Sequence, residues 1–191
     1  MIKMNLRSVL TGIVLVVILA GVVFFIKRNR PVPPVAAPVV VPGTGYHAVL
    51  KALGPAEAPI KIVEYSDFEC PSCRFAQQEL HKIMDAYPGK IQIIYKHFPL
   101  SSHRWSVYAH QAAECMNAQG KFWPFQEMLY DRQPEWAPLT IPPDEILARY
   151  ARELGADMYR FGKCMSDVDV TRAIYAEKEE GNQRQGNATP T

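Results

Sequence analysis

Acidic side chains are missing from residues 1–45, and cysteine occurs only four times in the 191-residue chain. The first absence makes the charge uneven. That segment carries Lys3, Arg7, Lys27, Arg28 and Arg30, leaving residues 46–191 with 16 basic against 19 acidic side chains, a net of −3. A mildly acidic body has no electrostatic footprint for nucleic acid, which excludes that class of partner. Charge is also absent from residues 9–26, an apolar run of about 18 residues, just long enough to cross a bilayer as a helix. With no polar face, the run does not read as a buried soluble helix. It is either a retained anchor or a cleaved secretory signal, since Lys3 and Arg7 resemble an n-region. Continuation of the run to Ile26, followed at once by Lys27-Arg28-Asn29-Arg30, favours the anchor. No internal repeat is visible.

The basic flank leads into "PVPPVAAPVVVPGTG", five prolines without a charge, which reads as an extended spacer. The expected layout is a flank at 1–8, an anchor at 9–26, a basic and Pro-rich linker at 27–45, and a domain at 46–191. The positive-inside count gives no orientation, because basic groups stand on both sides of the span.

Two of the four cysteines lie in "DFECPSC". A Cys-x-x-Cys pair can hold half a zinc site or form an exchangeable disulfide. Zinc needs two further ligands, and Cys115 and Cys164 are single, widely separated cysteines with no histidine pair beside them. The setting favours exchange. "IKIVEYSDF" alternates like a strand bounded by Gly54, Pro55 and Pro59. After the pair, Cys73, Ala76, Leu80, Ile83, Met84 and Tyr87 recur at helical spacing until Pro88-Gly89. Pro71 suits the first helical position, which places Cys70 at the N-cap. There the free N–H groups and positive dipole end favour a thiolate at Cys70, while Cys73 faces the core. One reachable and one shielded thiol is the asymmetry that thiol–disulfide exchange needs.

Further along, "KIQIIYKHF" reads as a second strand, and residues from His103 to Gly181 are helix-periodic. Phe122, Trp123 and Phe125 read as core packing rather than as a substrate cleft. Pro142-Pro143 opens one helix and Gly155 follows its end; another, "DVTRAIYAEKEEG", is expected to stop at Gly181. Cys115 and Cys164 are expected to bridge one another, the alternative being two free buried thiols. Glu64 sits within the apolar strand. It is either a partly buried carboxyl able to trade a proton with the resolving thiol or an edge residue in water. Asp67 reads as solvated.

"VEYSDFECPSC", together with "IIYKHFPLSSH", "AHQAAECMNAQGKFWPFQEMLY" and "RFGKCMSDV", resembles the DsbA-like thiol–disulfide oxidoreductases of the thioredoxin superfamily. The resemblance covers most of residues 55–191. It implies an α/β thioredoxin-like fold with a helical domain inserted at about 102–181. It also implies a redox-active pair, Cys70 and Cys73, framing Pro71 and Ser72, and a proton-transfer role for Glu64. "ATPT" resembles the family's cis-proline loop, with Thr189 preceding Pro190. The family continues through two further strands and a closing helix, which this chain is expected to lack.

The expected function is a dithiol oxidase acting on substrate proteins with free cysteines, without cofactor or metal, and reoxidised by a quinone-linked membrane partner. Its expected location is the inner membrane, single-pass, with the redox domain on the periplasmic side. A reductase or isomerase, and a non-catalytic anchored peptide-binding module, stand as alternatives.

Overall fold

The computed structural model describes Gly12, residues 15–22, Phe25 and residues 49–191. The chain divides into two units, residues 1–35 and 36–191.

Strand β1 (Ala52–Leu53) and strand β2 (Ile60–Ser66) flank strand β3 (Ile91–His97) in a sheet of order β1-β3-β2. β2 runs parallel to β3, with Ile60 opposite Ile91 and Ser66 opposite His97. β1 pairs antiparallel to β3. All seven residues of β3 are buried. That suits a central strand whose apolar residues run almost without interruption, "IQIIY". Helix α1 (Pro71–Ala86) makes the crossover between the parallel pair, which two-residue hairpins cannot join. At the free side of β2, Thr191 exchanges backbone hydrogen bonds with Tyr65: Tyr65 N–H donates to Thr191 O at 2.8 Å and Thr191 N–H to Tyr65 O at 3.1 Å.

Six helices follow: α2 (Ser106–Asn117), α3 (Phe122–Asp131), α4 (Gln133–Trp136), α5 (Asp144–Glu153), α6 (Met158–Met165) and α7 (Val168–Gln183). α2 is the hub, buried along most of its length and packed against α3, α5, α6 and α7. Small Ala109, Ala112 and Ala113 let the neighbours approach it closely. Phe122 and Phe125 are core residues, and half-buried Trp123 anchors its indole N–H on Ala52 O at 3.0 Å. Asp157 and Asp167 cap α6 and α7 by accepting first-turn N–H groups. Cys115 on α2 and Cys164 on α6 are disulfide-bonded, with Cα atoms 5.6 Å apart. Closing a loop of 49 residues stabilises by about 4 kcal/mol in the chain-entropy model.

Two expectations from the sequence do not hold. The transmembrane helix, and with it the inner-membrane location facing the periplasm, is overturned: among the described residues no helix is long and apolar enough to cross a membrane. Within 9–26 the described residues are helical and exposed. The rest of that run, and the linker at 27–45, lie outside the described residues.

The second correction concerns Gly181, which does not stop α7. The helix continues to Gln183, and the residue in the left-handed region is Gln185, with φ 68°. Gly181 is needed for close approach. A Cβ there would stand 2.7 Å from Phe98 Cδ2 and 2.8 Å from Tyr65 Cδ1, two buried rings packed edge to face. Gly181→Ala should therefore lower the melting temperature, overpacking costing about 1–3 kcal/mol against about 1 kcal/mol of improved helix propensity. A raised melting temperature would show that the rings yield freely.

Candidate active site

β2 delivers its last residues into the N-terminus of α1, and the turn between them builds the site. Cys70 is the N-cap of α1, in extended conformation, and Pro71 and Ser72 open the first turn. Pro71 fits because its missing N–H is one of the helix's unpaired donors anyway. Cys70 and Cys73 are both free thiols. The expectation of a reachable Cys70 needs refinement, because only 7% of its surface is exposed. Its side chain takes no N–H from the first turn of α1. Instead the thiol donates to Thr189 O at 3.6 Å. That contact lays the end of the described chain against Cys70, and the Thr189–Pro190 peptide bond there is cis.

Cys73 is fully buried. Burial pushes its thiol up to about 12, opposed by the polar side chains of Ser66 and Thr189 and by the Asp67 amide. The Asp67 N–H reaches Cys73 Sγ at 3.4 Å. Glu64 lies inside, not in water, at 5% exposure. Burial raises its carboxyl to about 7, and a hydrogen bond with Ser66 pulls the other way. Its Oε1 has no hydrogen-bond partner. The environment is that of an acid that can hold or release a proton near neutrality.

Asp67 was expected to be solvated and is fully buried. It is the staple of the active-site turn. One carboxylate oxygen accepts Glu69 N–H at 2.9 Å and Ser106 Oγ–H at 2.8 Å, the other Leu100 N–H at 2.8 Å and His103 Nδ1–H at 2.8 Å. These four donors compensate the buried charge. The local bond to Glu69 is an Asx-type turn, a signal present in the stretch "SDFE". The donors at 100, 103 and 106 carry no such signal.

Three further residues shape the site without any local mark in the sequence. Gln133, on α4, donates its amide N–H₂ to Phe68 O at 2.7 Å and Cys70 O at 3.1 Å, so the helical insert fixes the cysteine turn. Ser66 Oγ and Tyr130 Oη are 2.9 Å apart, both fully buried. Tyr95 Oη–H donates to Ser66 O at 3.3 Å.

A mixed sheet with a parallel β2–β3 pair, a cysteine at the N-cap position with a buried second cysteine three residues on, and a cis-proline opposite them define a thioredoxin-fold thiol site. Comparison with known proteins agrees. The thioredoxin family model matches residues 50–191. The chain belongs to the thioredoxin family and carries its DsbA-like form, with the helical insert. It is similar to alpha-DsbA1 of Wolbachia pipientis, at 23% identity and a TM-score of 0.65 over 86% of this chain and 76% of that one. A thioredoxin-like oxidoreductase from Silicibacter pomeroyi shares 27% identity and a TM-score of 0.61, covering 74% of this chain and 77% of its own. Among curated proteins, a Na(+)/H(+) antiporter NhaA 3 of Salinispora tropica is 32% identical over 139 residues, which is 72% of this chain. The chain spans about a fifth of that relative's length, 20%.

Proposed function

We propose that this chain is a protein dithiol oxidase: a Cys70–Cys73 disulfide accepts two electrons from a pair of substrate thiols. The observation that carries the reading is the placement of the pair at the start of α1. Cys70 stands at the N-cap against the Thr189 carbonyl, and Cys73 is sealed beneath it. A substrate thiolate attacks Cys70 Sγ, the Cys70–Cys73 bond breaks, and its electron pair stays on Cys73. The second substrate thiolate then attacks the mixed disulfide at its own sulfur and releases Cys70.

The direction of exchange follows from which form the site stabilises. As thiols, Cys70 donates to Thr189 O, and Cys73 Sγ accepts the Asp67 amide N–H. A disulfide gives up the Cys70 S–H donation to Thr189 O. Stabilising the reduced pair makes the disulfide the better oxidant. The names of the structural relatives, a DsbA and a thioredoxin-like oxidoreductase, support exchange chemistry. Substrate proteins with free cysteines are the proposed partners, and reoxidation falls to a quinone-linked thiol oxidase, as the family resemblance implies.

Equilibration of the full chain with glutathione redox buffers tests the direction. The expected reduction potential is above about −200 mV, in the range of oxidants and isomerases. A value near about −270 mV, that of a reductase, would overturn the oxidase reading. Cys70→Ser should abolish reaction with a reduced peptide in either case.

A further inference from the structure

Cys70 is the sulfur that must leave at the end of the exchange. When the second substrate thiolate attacks its own sulfur in the mixed disulfide, the bond to Cys70 breaks and its electron pair stays on Cys70 Sγ. That sulfur meets an acceptor rather than a donor. It takes no N–H from the first turn of α1, and the polar atom it faces is Thr189 O at 3.6 Å. The donors of the turn go instead to the Cys70 carbonyl, whose carbon is bonded to the same Cα as the sulfur-bearing Cβ. Cys73 N–H and Arg74 N–H reach that oxygen from within α1, at 3.1 and 3.2 Å. Gln133 Nε2 reaches it from the helical insert, at 3.1 Å.

We propose that Gln133 is a positioning residue for exchange: its amide holds the Cys70 carbonyl and turns a fixed positive dipole toward the departing thiolate, making the pair a stronger oxidant. The proposal rests on the exchange reading above. The amide nitrogen has two protons, and each has a partner on the turn that carries Cys70. One goes to Phe68 O at 2.7 Å and the other to Cys70 O at 3.1 Å. Gln133 is only 5% exposed, so its dipole acts where water screens little. It adds to the positive end of α1, at which Cys70 stands. The disulfide and the mixed disulfide carry no charge on Cys70. The dipole therefore stabilises the thiolate over both, which favours the reduced pair and speeds the release of Cys70.

The insert keeps this amide still. Gln133 is the first residue of the short helix α4, and Pro134 fixes the backbone beside it. Trp136 is fully buried and ties α4 to α3 by donating its indole N–H to Leu129 O at 2.9 Å. Other holds on the cysteine turn end on other residues. Asp67 accepts from Leu100, His103 and Ser106, and the Glu69 carboxylate accepts Trp105 N–H at 2.6 Å. Gln133 reaches Cys70 itself. A residue that only stitched the insert to the turn would stabilise the oxidised and reduced forms alike. One that supports the thiolate favours the reduced form.

Equilibration of the full chain with glutathione redox buffers, wild type beside Gln133→Met, separates the two roles. Methionine keeps the length of the side chain and removes both donors. The equilibrium constant for reducing the pair should fall about threefold, a shift of about 15 mV toward reductants. Urea denaturation of both redox forms gives the same quantity independently: the substitution should lower the folding constant of the reduced form about threefold more than that of the oxidised form. If Gln133→Met keeps the wild-type potential and weakens both forms equally, Gln133 is a stitch; the proposal falls and the exchange reading survives. If the wild type forms no Cys70–Cys73 disulfide in any buffer, the exchange reading falls and the proposal with it. Should Gln133→Met fail to fold, the reduced wild type decides by NMR. Its Gln133 side-chain amide protons should shift as pH is raised through the ordinary cysteine range, about 8.5, and Cys70→Ser should abolish that shift. The same response in both proteins would overturn the support of Cys70 by Gln133.

Discussion

Replacing Lys51 with methionine should destabilise the domain by about 3–5 kcal/mol, the usual cost of leaving one half of a buried ion pair behind. The Lys51 ammonium is almost wholly enclosed beside β1, donating to Glu114 Oε2 at 3.1 Å and Glu177 Oε1 at 2.9 Å. Burial pushes its pKa down, but the two carboxylates together hold it above the ordinary lysine value. Glu177 also accepts the His97 N–H at 2.7 Å, and Glu114 faces His97 Nε2 at 2.7 Å. Without Lys51, Glu114 and Glu177 lose the ammonium they share, while Glu177 keeps Lys96 Nζ at 3.8 Å.

The loss should depend on pH. Burial, and then the Lys51 charge, lowers His97 below its usual value. Removing Lys51 releases the second of these, so His97 can take up a proton and supply the missing charge. Urea denaturation should therefore show the largest loss near pH 8 and a smaller one near pH 5.5. A loss below about 1 kcal/mol, within the range of exposed pairs, or an equal loss at both pH values would refute this account.

Glu64→Gln should have the opposite sign and stabilise the protein at alkaline pH. The folded carboxyl is raised to about 7 by burial, against an ordinary value of 4.5. A raised group contributes stability below its unfolded value and loses it as pH rises through the folded one. Above pH 7 the wild type must hold an ionised carboxylate in the core. The difference corresponds to about 3 kcal/mol at pH 8. Glutamine carries no charge at any pH, so the gain should be full near pH 8 and absent below about pH 4.5. Chemical denaturation of both proteins at pH 4 and pH 8 measures it. On the proposed exchange reading, in which Glu64 trades a proton with Cys73, the same substitution should also slow exchange. A more stable and slower protein is the signature of a residue kept for function. A pH-independent effect would place Glu64 in water after all.

His97 and His110 show how closely the interior is specified. Their Nδ1 atoms are 2.6 Å apart, and His97 Nε2 donates to Glu114. His97 Nδ1 must then accept, and His110 Nδ1–H donates. That arrangement leaves His110 Nε2 without a hydrogen-bond partner. Burial, and then the neighbouring His97, keeps His110 well below its ordinary value, so the pair stays neutral in the fold.

Much of this was legible in the amino-acid order alone, wherever the signal was local. Alternation marked β2 and β3, helical spacing marked α1, and Pro71 placed Cys70 at its N-cap, because backbone geometry repeats within a few residues. The two-residue β1 is too short to carry a period, and it escaped notice. The Cys115–Cys164 pairing was open to arithmetic, since Cys70 and Cys73 already formed a pair. The membrane-spanning reading of residues 9–26 rested on length and hydropathy, and no described helix has the length for it.

Tertiary structure decided the rest. Whether Glu64 faced water or the core was undetermined, because one carboxylate in an apolar strand reads alike in both settings. Asp67 was misplaced because three of its four donors lie more than 30 residues away along the chain. Gly181 passed for a helix stop because the rings of Tyr65 and Phe98, which require it, are brought to it only by packing. Ser66 and Tyr130 are separated by 64 residues, Lys51 and Glu177 by 126. The chain order determined where strands, helices and the reactive pair would form, since those depend on neighbours in sequence. Which polar group meets which in the dry interior depends on neighbours in space, and only the packed fold assigns them.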